Sequence, residues 1–153
     1  MTYLATGPAA GSYPDNANDW VMLPAIDLSA YAGCQMRITT ELWRNAEKFG
    51  LVNYDGGNLQ ITTDASGAGG WAALTGATMA YDGTLGDCGG TCIVANQQTW
   101  TNSSNPKWKT AVYESTMPPG AMIRLRYTFH SDNGNNSGAL PGIYVRRLQV
   151  DAF

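Results

Sequence analysis

Residues Gln35–Trp43 read "QMRITTELW", and they alternate without a break. In an extended chain Met36, Ile38, Thr40 and Leu42 fall on one side, and Arg37, Thr39, Glu41 and Trp43 on the other. A period of two marks a strand with one face on a core and one in water. "AMIRLRYTFH" repeats the pattern, with Ile123, Leu125, Tyr127 and Phe129 opposite Arg124, Arg126, Thr128 and His130. "NLQITTD" sets Leu59, Ile61 and Thr63 against Gln60 and Thr62. "GIYVRRLQV" is ambiguous, because both of its faces carry an arginine. "WVMLPAID", "WAALTG", "CIVANQ" and "KTAVYES" complete the expected strands, with turn residues between them at regular intervals. "WRNAEKFG" is the one helix candidate, and it is too short to be stable alone.

The 153 residues suit one domain able to bury its own core. Residues 1–153 are expected to form a single all-β domain, with residues 1–18 a loosely packed leader. Charged residues are 14% of the chain, against roughly 25% in ordinary soluble domains, and there are 18 glycines. That bias is common in secreted β-proteins. The net charge is −3 with no basic run, so no nucleic-acid footprint is present. No apolar stretch reaches the roughly 20 residues that span a bilayer. "MTYLATGPAAGSYPDNANDW" lacks a charged n-region and a long apolar segment, so it does not read as a signal peptide. Met1 reads instead as the start of a piece cut from a longer secreted chain.

The ordered set of motifs resembles a known group. "WVMLPAIDLSAYAGCQMRITTELWRNAE", "VNYDGGNLQITTDASGAGGWAAL" and "WKTAVYESTMPPGAMIRLRYTFHSDNGNNSGALPGIYVRRLQV" look like the MAM-like jelly-roll domains. These accompany secreted bacterial metallopeptidases of the immune-inhibitor-A type, and they are similar to cleaved-adhesin modules of surface proteins. The likeness covers roughly residues 19–151. It implies a jelly-roll β-sandwich of two antiparallel sheets, non-catalytic, that binds a glycan or an extracellular protein or supports neighbouring domains. Family members often end in "G-W-Y-I-D-D-V", and one of those aspartates can help hold a structural calcium ion. Here Arg146-Arg147 stand in their place, and a guanidinium repels a cation. The expectation is that Arg146 replaces the ion and pairs with Glu41 or Glu47.

"YDGG" (Tyr54–Gly57) can be read two ways. Asp55 with Glu47 and Asn53 could contribute to a calcium loop, although calcium takes six to eight oxygens. The favoured reading is a turn, with Asp bonding locally and Gly taking positive φ. "TTDASGAGGW" reads as a hairpin loop, since neither a lysine nor a helix follows its glycines as a phosphate loop requires. "SDNGNNSG" reads as a solvated loop. "CGGTC" is expected to close a small Cys88–Cys92 disulfide in an oxidising compartment, leaving Cys34 as a core thiol. The rival reading is a redox or metal pair, which lacks the usual spacing. No resident cofactor is expected beyond a structural calcium.

Glu41 and Glu47 could be offered as a glycosidase pair, but Glu41 lacks carboxylates at the neighbouring same-face positions. His130, the only histidine, is expected on the surface. Arg37, Arg124 and Arg126 are expected to share a face with Glu41, either as a polar ladder or as a grip on anionic sugars. Among the aromatics Trp100, with Tyr81, is the exposed candidate for stacking on a sugar, while Trp20, Trp43, Trp71 and Trp108 are expected to pack. The ligand-binding candidates are therefore Trp100, Tyr81, Arg124 and Arg126. The overall expectation is a secreted or cell-surface accessory module for carbohydrate or extracellular protein. The alternatives are a structural subunit of an extracellular assembly and, behind it, a glycoside hydrolase.

Overall fold

A computed structural model describes residues 4–5, 13–49, 52–86, 97–101, 106–116, 122–132 and 140–153. The strands are β1 (Leu4–Ala5), β2 (Asn18–Met22), β3 (Ile26–Asp27), β4 (Gln35–Asn45), β5 (Lys48–Phe49), β6 (Val52–Asn53), β7 (Gly56–Thr62) and β8 (Ala72–Ala73). They continue with β9 (Gly83–Thr84), β10 (Gln98–Thr99), β11 (Lys109–Thr116), β12 (Met122–His130) and β13 (Gly142–Ala152). Two antiparallel sheets pack as a sandwich. One runs β1-β13-β4-β11, and the other β2-β12-β7-β8 with β3 also on β12. We call them the β4 sheet and the β12 sheet.

Alternation builds both inner faces. Met36, Ile38, Thr40 and Leu42 of β4 are buried, and so are Ile123, Leu125, Tyr127 and Phe129 of β12. Together with Leu59 of β7 they form one continuous core. Thr40 is wholly buried, yet it is not orphaned. Its hydroxyl pairs with the Tyr127 hydroxyl of the opposite sheet at 2.5 Å and donates to the Arg147 carbonyl at 3.0 Å. The polar member of the β4 pattern thus ties the two sheets together, as a buried hydroxyl must find a partner.

The ambiguity of "GIYVRRLQV" has a physical cause. β13 pairs with β4 as Val145↔Leu42 and then Arg147↔Glu41, so a β-bulge sits between them at Arg146. The extra residue shifts the phase. Ile143 and Val145 point inward before it, and Leu148 and Val150 pack against the core after it.

Three expectations change. "WRNAEKFG" is not helical: β4 runs through Asn45, and Lys48–Phe49 forms β5 against β6. Arg37 and Glu41 lie on β4 while Arg124 and Arg126 lie on β12, so the four do not share a face. Tyr13, inside the expected loose leader, is 2% exposed and belongs to the core. The proposed Cys88–Cys92 bridge and most of "CIVANQ" lie outside the described residues. Cys34 is free and half-buried against the core.

Candidate functional site

Three carboxylates converge at one end of the sandwich. Glu47 follows β4, Asp55 precedes β7 and Asp132 follows β12, and one oxygen from each lies within 4.8 Å of the others. Asp55 is fully buried. It is more than the turn-former read from "YDGG". Its Oδ2 accepts from the Tyr13 hydroxyl at 2.5 Å and its Oδ1 from the Asp132 amide at 2.8 Å. The Tyr13 hydroxyl accepts in turn from the Glu47 amide at 2.9 Å. Tyr13 therefore staples two of the three loops. Asp132, expected in a solvated loop, is buried.

Burial pushes the Asp55 carboxyl up to about 6, with the Asp132 and Glu47 charges adding to the rise against the lowering from its hydrogen bonds. Glu47 is raised as well, by burial and then by Asp132 and Asp15. The buried Glu47 Oε2 has no hydrogen-bond partner among the described residues. Such a group costs free energy unless something compensates it. The donor set suits a hard cation: calcium holds oxygens at 2.3–2.6 Å, so ligands on opposite sides of one ion lie about 5 Å apart. The cluster fits within that span.

The second feature is the outer face of the β12 sheet. Arg126 stands opposite Met22 on β2 and Gln60 on β7. Its Nε donates to Gln60 Oε1 at 2.8 Å. The guanidinium carbon lies 4.3 Å from the Trp71 ring centre and 5.9 Å from that of Trp20. Burial lowers its proton affinity. Trp71 is placed by the loop before β8. There the Asp64 carboxylate accepts from the Ser66 and Gly69 amides, and Gly67, at φ +73°, closes the turn. The indole of Trp71 donates to the Gly67 carbonyl at 3.1 Å. The expected hairpin is present, and its Asp is a turn-former as read. Arg124 lies two residues from Arg126 on the same face and donates to the carbonyls of Ala65 (2.6 Å) and Leu23 (3.5 Å).

At its other end this face is roofed. Asn58, Gln60 and Thr62 point outward yet are buried. Segment 97–101 is bridged to β7 at Gly57↔Trp100, and its Gln97 Oε1 accepts from both Asn58 and Gln60 at 3.2 Å, while Thr62 donates to the Gly69 carbonyl of the hairpin loop. His130 stands opposite Gly56 of β7 on the same face. It is 8% exposed, not superficial, and neither ring nitrogen has a partner among the described residues. Burial and the Arg126 charge lower its pKa to about 4.

Trp100 overturns the aromatic expectation. It is 1% exposed, its ring 4.7 Å from that of Tyr81. Tyr81 is half-buried and donates to the Leu59 carbonyl at 3.2 Å. Trp20, expected to pack, is 57% exposed. Of the four ligand candidates, Arg124 and Arg126 share the outer face and Trp100 and Tyr81 share an interior stack. Residue types alone missed Trp20, Trp71 and Asp132. The tryptophan closing the "DASGAGG" turn was the one local cue.

Arg146 pairs with Glu41, one of the two partners expected for it, at 2.6 Å, and lies 4.3 Å over the Trp108 ring. Arg147 adds a second contact to Glu41 at 3.5 Å. These charges lower the Glu41 pKa. Glu47 turns instead toward Asp55 and Asp132. No family model matches the chain, and no curated protein matches its sequence.

Proposed function

We propose that the chain is an extracellular or cell-surface, non-catalytic binding module, of the MAM-like accessory kind, that takes a carbohydrate on the outer face of the β12 sheet. The observation that carries this reading is Trp20, a large ring 57% exposed beside a fixed Trp71 and Arg126. An exposed indole on a rigid strand offers the flat apolar surface onto which a sugar ring stacks, at low entropic cost. A glycan panel read by affinity electrophoresis tests it. Binding to at least one polysaccharide that Trp20→Ala abolishes supports the reading; full binding by Trp20→Ala overturns it.

A structural calcium at Glu47, Asp55 and Asp132 belongs to the same proposal, supported by the unpartnered Glu47 oxygen. Calcium should then raise Tm over a chelated sample, because it binds the folded chain alone. Equal Tm values with calcium and chelator would remove it.

The second reading, a structural subunit, draws on Val21 and Met22, exposed next to Trp20 on edge strand β2. An exposed apolar edge invites pairing. Molecular mass that climbs with concentration in light scattering, and falls back in Met22→Lys, favours it. A hydrolase built on Glu41 has less support, because two arginines already hold that carboxylate.

A further inference from the structure

We infer that the sugar bound on the β12 face carries a carboxylate, and that the Arg126 guanidinium receives it. This rests on the carbohydrate-binding reading above and adds the ligand's charge to it.

Among the described residues, four arginines have carboxylate partners within the chain. Arg37 pairs with Glu114, Arg44 with Asp82, and Arg146 and Arg147 with Glu41. Arg124 and Arg126 have no carboxylate within ion-pair distance among the described residues. They sit side by side on one face of a chain whose net charge is −3.

Arg126 is also held ready. Its Nε is engaged by Gln60, and Trp71 backs its plane at 4.3 Å. The two terminal nitrogens make no hydrogen bond to the described residues. A guanidinium fixed in this way presents a planar two-donor edge, the geometry that matches a carboxylate, and loses little freedom on binding. Partial burial strengthens the attraction relative to open water. Trp20 stands on the far side of the guanidinium at 5.9 Å, with more than half its surface free. A pyranose acid joins these two features in one ligand: its ring lies on the indole and its carboxylate meets the fork. An acidic peptide would satisfy only the charge.

The test compares polygalacturonate, the same polymer after carboxyl reduction, and poly-glutamate, by titration calorimetry. Wild type should bind polygalacturonate at least tenfold more tightly than the reduced polymer, and poly-glutamate more weakly than polygalacturonate. Arg126→Gln should lower affinity for polygalacturonate by about ten- to a hundredfold, the scale of one charged hydrogen-bonded contact. It should lower affinity for the reduced polymer far less. Arg126→Lys, which keeps the charge and loses the fork, should fall between, so the result does not hang on one variant. Arg37→Gln, on the opposite sheet, should bind as wild type does. Equal binding of the acidic and reduced polymers overturns this inference and leaves the carbohydrate reading standing. Equal binding of poly-glutamate overturns the sugar. Absence of binding to every polysaccharide overturns both.

Discussion

The two outer faces of the sandwich treat charge differently. On the β4 sheet, Arg37 lies against Glu114 and the ring of Phe153, and Glu41 is shared by Arg146 and Arg147. Arg147 continues to Gln149, and Gln149 to Asp151. Each of these arginines is answered from within the chain. On the β12 sheet, Arg124 and Arg126 are answered, among the described residues, by carbonyls, an amide and two indoles. Cross-strand pairs on a sheet stabilise by small amounts each, so the first face is explained by folding alone. The second is not, and it is the face we assign to a ligand.

The β12 face is itself divided between a roofed end and an open end, and the largest predicted effect probes the roof. A Cβ at Gly56 would lie 2.3 Å from the Trp100 carbonyl oxygen. Backbone cannot yield as a side-chain tip can. Gly56→Ala should therefore cost about 4 kcal/mol or more in urea unfolding. A mild loss would show that segment 97–101 is not a fixed roof, and the contrast between the two ends would fail.

The next effect is a pH dependence with two opposed parts. Buried His130 has a folded pKa near 4 against 6.5 unfolded. The unfolded chain binds more protons in that window, so this part of the stability is lost as pH falls from about 6.5 to 4. Asp55 has a folded pKa near 6 against 3.8. The folded chain binds more protons there, so this part is present at low pH and is lost as pH rises from about 4 to 6. Each amounts to about 3 kcal/mol, and Glu47 acts in the same direction as Asp55. In chelator, wild type should change little between pH 4 and 6. His130→Gln should become less stable as pH rises, and Asp55→Asn as pH falls. Parallel curves for the two variants would contradict the buried states of both groups.

The β4 face gives smaller effects. Glu41→Gln should lower Tm slightly, more at low salt than at high salt, and leave glycan binding untouched. A loss of binding would mean the closed face also meets the ligand. Smallest of all is the stability change of Trp20→Ala, expected within about 0.5 kcal/mol because the ring is mostly in water. A larger loss would mark Trp20 as a structural anchor.

The sheets could be read from the chain because alternation is local. Met36 to Leu42 and Ile123 to Phe129 declare their inner faces within a few residues. The carboxylate cluster could not be read that way. Glu47, Asp55 and Asp132 come from three loops, and the residue that staples two of them, Tyr13, lies in a stretch that looked like leader. Exposure was also opaque. Trp100 follows "QQT" and leads into a polar loop, yet it bridges to Gly57 and fills the core; Trp20 lies in an apolar run, yet it faces water. Which side of a sheet another segment covers is a tertiary fact. His130 was misplaced for the same reason: its strand face was correct, and its burial could not be read from its own strand.

The bulge at Arg146 has a consequence for how this strand can vary through descent. The residues before and after it keep their own partners on β4, Val145 with Leu42 and Arg147 with Glu41. Losing Arg146 would close the ladder without carrying any neighbour across the sheet, whereas losing Val145 would draw Arg146 into the inward place opposite Leu42 and losing Leu148 would turn Val150 outward. In an alignment of related chains, Arg146 is where a one-residue gap should fall, and where insertion and deletion come at the least cost to the fold.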